Sequence, residues 1–225
     1  MPWAYDDEAV DVVRFFTKLK LSLVPYLYSS AVVTSMTGVP MMRSMVLEFE
    51  KDHCCKYLDR QYMLGDSLLV APIFNDQSMA DYYLPEGKWS NYFTGEIREG
   101  SVWCEESHDY MSIPLWVKEN SIIPVCENLK KAADSFKENI TLKIFGLEDK
   151  AEIVVYQEQE SIMKFAAKRN GQNILCKAET EYGYNIRFVN CILSTVQGGE
   201  LSIEGNDSVV TVKDPCAEIV CEISV

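Results

Sequence analysis

The chain has 225 residues, 48% of them hydrophobic, with a net charge of -13 and a pI near 4.6. That length holds one large or two modest domains with a sizeable core. Such an acidic surface repels phosphate backbones and anionic lipid, which argues against nucleic acid or a membrane surface as partner. The eight cysteines include no CxxC pair and no secretory signal pattern opens the chain, so free thiols in a cytoplasmic protein are expected.

The chain opens on MPWAYDDEAV. Asp6 or Asp7 is placed to cap a helix with an acidic first turn, and Gly38 followed by Pro40 ends it. Thirty-odd residues make roughly 45 Å of helix. Pro25 is expected to bend it, since its ring removes one backbone hydrogen bond and crowds the preceding turn. Val12, Val13, Phe15, Phe16, Leu19, Leu21, Leu23, Val24, Leu27, Val32 and Val33 cover most of its circumference, the pattern of a helix enclosed in a larger body. The 16 residues from Leu21 to Met36 contain a proline and several serines, short of the roughly 20 apolar residues of a membrane span.

A short helix is expected within Asp52–Leu64 and a buried strand over Ser67–Phe74. Tyr82–Leu84 and Trp89–Phe93 flank Pro85-Glu86-Gly87-Lys88, a hairpin signal. Ser112–Val117 and Ser121–Val125 read as two more strands around Lys118-Glu119-Asn120. Glu127–Glu138 is polar and lysine-rich, and reads as a linker. Short alternating segments follow, from Ile140 to Ile223, separated by turns such as Asn170-Gly171 and Gly198-Gly199. Their spacing points to an antiparallel sandwich.

No cofactor, nucleophile or zinc-protease motif is present among the usual patterns. Carboxylates cluster at Asp6-Asp7-Glu8, at Glu105-Glu106 with Asp109, and at Glu158 and Glu160. Glycosidic chemistry needs two carboxylates facing each other across about 5 to 10 Å, which neighbours in sequence do not establish. The first cluster reads as a helix start and the others as solvated strand ends. Ser107-His108-Asp109 holds the residue types of a triad, but three consecutive residues cannot form its geometry. His53-Cys54-Cys55 is the sole approach to a metal site, and three neighbours rarely converge on one ion; no metal or cofactor is expected. Tyr82, Tyr83, Trp89, Tyr92 and Phe93 suit either a sugar-stacking platform or, more simply, core and cross-strand packing. Asn139-Ile140-Thr141 and Asn206-Asp207-Ser208 match the glycosylation pattern, which carries meaning only in a secreted protein.

Seven stretches occur in order over about 125 residues: Pro2-Trp3, PYLY (Pro25–Tyr28), GVPMMR (Gly38–Arg43), Leu47-Glu48-Phe49, YLDRQYMLGDSLLVAP (Tyr57–Pro72), YLPEGKW (Tyr83–Trp89) with Thr94-Gly95, and Ser121–Pro124. Together they resemble the C-terminal part of glycoside hydrolase family 31, which includes α-glucosidases and α-xylosidases. PWAYDDE, PMMRSM and LDRQYMLGD are most similar to its bacterial α-xylosidase branch. Lys20-Leu21 stands where the family often has Arg-Tyr, a difference that touches helix packing.

The resemblance implies a mainly β fold. Two antiparallel β-sandwich domains are preceded by a long α-helix left over from a (β/α)8 barrel. Residues 1–45 would be the barrel's last helix and exit segment, 46–127 the proximal sandwich and 128–225 the distal one. The chain would then open inside a longer enzyme, just after the last barrel strand. It also implies retaining hydrolysis by two aspartates, both upstream of Met1, so no catalytic, substrate-binding or metal residue is assigned here. Asp6, Asp7, Asp59 and Asp66 are not substitutes: Asp59 and Asp66 are expected in ion-pair or turn roles. The expected partners are the missing barrel, the parent's α-xyloside or α-glucoside substrate, and a second copy through residues 9–36, whose apolar face exceeds what a monomer exposes. The alternative is a stand-alone carbohydrate-binding sandwich module.

Overall fold

The computed structural model describes residues 1–224. After a tight turn over Pro2–Ala4 comes α1 (Asp7–Ser22), whose N-cap Asp6 accepts the Ala9 N–H at 2.7 Å. That bond satisfies one of the donors left free at a helix start. The single bent helix expected from the sequence is two helices. α1 gives way at Leu23, and α2 (Val24–Thr37) carries Pro25 in its first turn. There the missing proline N–H has no intrahelical partner to lose, so a fresh start is favoured over a bend. Gly38, at φ +77°, closes α2. None of α1's residues is buried, whereas α2 buries Pro25, Tyr26, Ser29 and Val32. Of the eleven apolar residues named above, Leu23 and Val32 are buried, Val13 and Val33 are exposed and the rest are half-buried, Leu19, Val24 and Leu27 packing against the cores.

The next strands are β1 (Met42–Ser44), β2 (Tyr62–Leu64), β3 (Leu68–Val70), β4 (Met79–Leu84), β5 (Lys88–Asn91), β6 (Ile97–Glu99), β7 (Val102–Ser107), β8 (Leu115–Lys118) and β9 (Ser121–Val125). A four-residue helical turn, α3 (Met45–Glu48), follows β1. The short helix expected within Asp52–Leu64 is a single tight turn at Cys54–Tyr57, and β2 takes the end of that segment. A six-stranded sheet runs β1-β2-β3-β8-β5-β6, and β4 pairs with β7 beside it.

The hairpin expected across Pro85–Lys88 does not form. β4 pairs with β7 and β5 with β6, so Met79–Asn91 and Ile97–Ser107 make one long ribbon folded over at Pro85–Gly87. The fold needs a close backbone approach. The Gly100 N–H donates to the Gly87 carbonyl at 2.7 Å, and a Cβ on Gly100 would stand 1.8 Å from the Pro85 oxygen.

The later strands are β10 (Thr141–Phe145), β11 (Lys150–Gln157), β12 (Glu160–Asn170), β13 (Asn173–Thr180), β14 (Tyr184–Phe188), β15 (Leu193–Gln197), β16 (Glu200–Glu204), β17 (Asp207–Val212) and β18 (Ile219–Ile223). They form two facing sheets, β16-β17-β14-β10-β9 and β11-β12-β13-β18-β15. One pair, β10 with β14, is parallel. The three strands between them lie in the opposite sheet, a crossover long enough for the chain to return in the same direction.

β9 follows β8 after only Glu119 and Asn120, yet pairs with β10 of the second sandwich. Asn120 makes the switch: it sits at φ +55°, and its side-chain oxygen accepts the N–H groups of Glu148 and Asp149 at 2.8 and 3.0 Å. All five residues of β9 are buried. Ile123 and Val125 face Leu68, Leu115 and Val117 of the first sandwich, while Ile122 faces the core between the second pair of sheets. Alternation along the strand puts successive side chains on opposite faces, so one strand serves two cores.

Candidate functional site

The sequence motifs converge around α2. The Tyr26 hydroxyl, 38 residues from Leu64 in sequence, donates to the Leu64 carbonyl at 2.8 Å and accepts the Ser67 N–H at 3.2 Å. Burial is the main reason its pKa rises to about 12. Gly65, at φ +65°, lies under that ring, and a Cβ there would meet the hydroxyl at 2.2 Å. Alongside, Arg43 donates to the Pro40 carbonyl at 2.8 Å and pairs with Glu48 at 2.9 Å and with Asp66 at 2.5 Å. PYLY, GVPMMR and YMLGDS thus meet in one knot that ties α2 to β1, β2 and β3. A cleft of about 610 Å³ lies beside it, bounded also by Lys118, Glu119 and Ser121 and by Glu152 and Tyr156 of β11. With both carboxylates spent on one guanidinium, the knot positions a helix.

Asp6 is the helix cap, and Asp7 and Glu8 stand in the first turn. Asp66 has the expected ion-pair role, while Asp59 is exposed. Glu158 belongs to the exposed turn between β11 and β12 and Glu160 starts β12. Ser107, His108 and Asp109 form no triad; Ser112 Oγ, which donates to Asp109 at 2.8 Å, stands between His108 and Asp109 instead. His108 turns to Ser112 Oγ, 3.1 Å from its Nδ1, and to Glu106, 3.5 Å from its Nε2. Glu106 also accepts the Tyr82 hydroxyl at 2.7 Å and pairs with Arg98, and Tyr82 in turn accepts the Trp116 N–H at 3.0 Å. Burial works to raise the Glu106 pKa, but the Tyr82 and Arg98 donors override it and hold the carboxyl below its ordinary value. This cross-linked chain braces the folded-over ribbon against the six-stranded sheet.

The five aromatics do not form a platform. Tyr82, Trp89, Tyr83 and Tyr92 are buried, and Phe93 alone is exposed, packing at 6.1 Å on Phe15 of α1. Among the described residues no three His, Cys, Asp or Glu side chains converge as a metal site, all eight cysteines are free, and no helix is long and apolar enough to cross a membrane.

Residues 38–123 match the model of the glycosyl hydrolase family 31 C-terminal domain. The chain belongs to glycoside hydrolase family 31, in its C-terminal part. It is 39% identical over 153 residues to the alpha-xylosidase XylQ of Lactiplantibacillus pentosus, covering 66% of this chain and 20% of that protein. It is 32% identical over 217 residues to an alpha-xylosidase of Emericella nidulans, covering 92% of this chain and 26% of that one. The whole chain superposes on a Flavobacterium johnsoniae GH31 dextranase with TM-score 0.86 and 25% identity, over 34% of that protein. It thus spans about a fifth to a third of the length of these family 31 relatives. The family model begins at Gly38, where α2 ends, and stops inside β9. The Tyr26, Arg43 and Asp66 knot joins that stretch to the helix before it. Sequence reasoning did not find the knot, because its partners lie in separate motifs and no local pattern signals their meeting.

Proposed function

We propose that this chain is the C-terminal portion of a retaining α-glycosidase of the α-xylosidase or α-glucosidase type, acting in the cytoplasm in carbohydrate breakdown. It supplies the sandwich domains that support a catalytic barrel carried elsewhere in the parent chain. The observation that carries this reading is the superposition of the whole chain on about a third of a family 31 dextranase. The alpha-xylosidase names of the sequence relatives support the substrate type. Residues 1–45 are the barrel's last helical segment and exit, 46–127 the proximal sandwich and 128–225 the distal one, with β9 clamped between the two. The unburied sides of α1 and α2 are the surface that meets the barrel. The nucleophile and the acid/base are two aspartates of that barrel. Asp6 and Asp66 are already used, as a cap and in an ion pair.

By itself the chain is inactive. The test is incubation of the purified 225-residue protein with 4-nitrophenyl α-D-xyloside and 4-nitrophenyl α-D-glucoside. No release of nitrophenol is expected, and turnover that survives further purification would overturn the proposal. A second check is the coding sequence upstream of the Met1 codon, which should read in frame through a barrel.

A further inference from the structure

A second cavity, of about 340 Å³, opens where the two sandwiches meet, and its chemistry differs from that of the knot around α2. Its wall is the turn Tyr92–Gly95 that closes the β5–β6 hairpin, and its floor is the face of the β9-β10-β14-β17 sheet turned toward that turn. Lys143 and Phe145 of β10, two residues apart, point the same way. Phe145 stacks on the Tyr92 ring at 5.9 Å, and the Lys143 ammonium lies 5.2 Å over it.

One polar group in this cavity has no partner, and a second has only a long ion pair. Tyr92 is 8% exposed, and its hydroxyl is buried without a hydrogen-bond partner among the described residues. A buried hydroxyl left unpaired costs free energy, so native structures nearly always satisfy it with protein, water or ligand. The Lys143 Nζ makes no hydrogen bond among the described residues. The Glu127 carboxylate, at 3.9 Å, is beyond hydrogen-bond reach. Burial pushes the Lys143 pKa below the ordinary lysine value, Glu127 countering and the neighbouring Arg187 adding to it. Arg187, by contrast, is committed, held by Glu204 and by Asp207 at 3.1 Å.

We propose that this cavity binds a neutral polyhydroxylated ligand, a single sugar unit. The Tyr92 hydroxyl and Lys143 ammonium would meet its hydroxyls, Glu127 would accept from it, and the exposed Phe93 ring would lie at the mouth against its C–H face. Ligand sites of this kind combine a few convergent polar groups with aromatic walls, and the cavity volume falls at the lower end of their range. An anion is disfavoured. Glu127, Glu204 and Asp207 outnumber Lys143 and Arg187 around the cavity, and the one strongly bonding cation is already paired.

The test is saturation-transfer NMR on the 225-residue chain, titrated separately with methyl α-D-xylopyranoside, methyl α-D-glucopyranoside and inorganic phosphate. Saturable binding of at least one glycoside is expected. Tyr92→Phe, which removes only the hydroxyl, and Lys143→Met, which keeps most of the stem, should each weaken it about five- to tenfold, the effect of one lost hydrogen bond. Phe74→Ala, at an exposed position elsewhere, should leave it unchanged. The Tm of each variant confirms that it folds, and Lys143→Met serves should Tyr92→Phe fail to. The proposal is overturned by no saturable glycoside signal, by binding indifferent to the substitutions that fold, or by phosphate binding in place of the glycosides.

Discussion

Arg43 reaches across to Asp66 at 2.5 Å, joining the end of the helical segment to the turn before β3. Arg43 is 8% exposed, while the Asp66 side chain is 77% exposed and that of Glu48 26%. The three do not contribute equally, because an exposed charge recovers its hydration when its partner is lost and a buried one does not. Arg43→Met, which strands Glu48 and the Pro40 carbonyl, should lower stability by about 3 kcal/mol. Asp66→Asn should cost about 0.5 kcal/mol. Urea unfolding followed by tryptophan fluorescence measures both.

Tyr26 gives a sharper test of the same knot. Tyr26→Phe leaves the Leu64 carbonyl and the Ser67 N–H without their partner, at a cost of about 1 to 3 kcal/mol. Gly65→Ala should be at least as damaging. It places a Cβ against the Tyr26 ring and loads a side chain onto a φ of +65°. In the double variant the two costs should not add, since both act on one contact. A double-mutant cycle in urea reads the difference.

The ribbon brace sets an acid limit. Glu106 has a lowered pKa in the folded protein. Its contribution is therefore present above the unfolded carboxyl value and is lost as pH falls through the folded one. Tyr26 acts at the other end. Its pKa is raised to about 12, so its contribution is present below the unfolded tyrosine value and is lost as pH rises toward 12. Glu106→Gln should reduce stability at neutral pH and flatten the acid limb of Tm against pH. Tyr26→Phe should flatten the alkaline limb. Scanning calorimetry across pH separates the two.

The exposed apolar residues of α1 and α2 should seek a partner. Val13, Val33 and Met36 are 49%, 36% and 63% exposed on α1 and α2, beside the half-buried Phe15 and Phe16. The isolated chain should self-associate through residues 9–36, because apolar surface of this extent is removed from water by any available partner. Val33→Glu with Met36→Glu should shift it toward monomer in sedimentation velocity. A wild-type chain that stays monomeric at high concentration would refute this.

Some of this was legible in single residues. Asp6 as a helix cap, Gly38 as a helix stop and the turn at Asn170-Gly171 follow from local backbone chemistry, and the fold class followed from the ordered motifs. Other features were not local. Pro85-Glu86-Gly87-Lys88 has the composition of a hairpin turn, yet it folds a ribbon over, because Gly100 on the returning strand admits the Pro85 carbonyl. Tyr82 and Trp89 carry no mark that separates a sugar platform from a core. Only the β4–β7 layer laid across the six-stranded sheet decides it, by enclosing both. The cavity beside Tyr92 was equally invisible, since Lys143 and Tyr92 are 51 positions apart in the chain.

The sequence by itself determined the alphabet of elements, the capping and turn chemistry, and the family motifs, because each depends on residues a few positions apart. The tertiary structure alone decided which strand pairs with which, that β9 serves two cores, and that Tyr26, Arg43 and Asp66 form one knot. Those outcomes depend on which apolar faces and buried polar groups find partners at long range, and only the folded chain satisfies all of them at once.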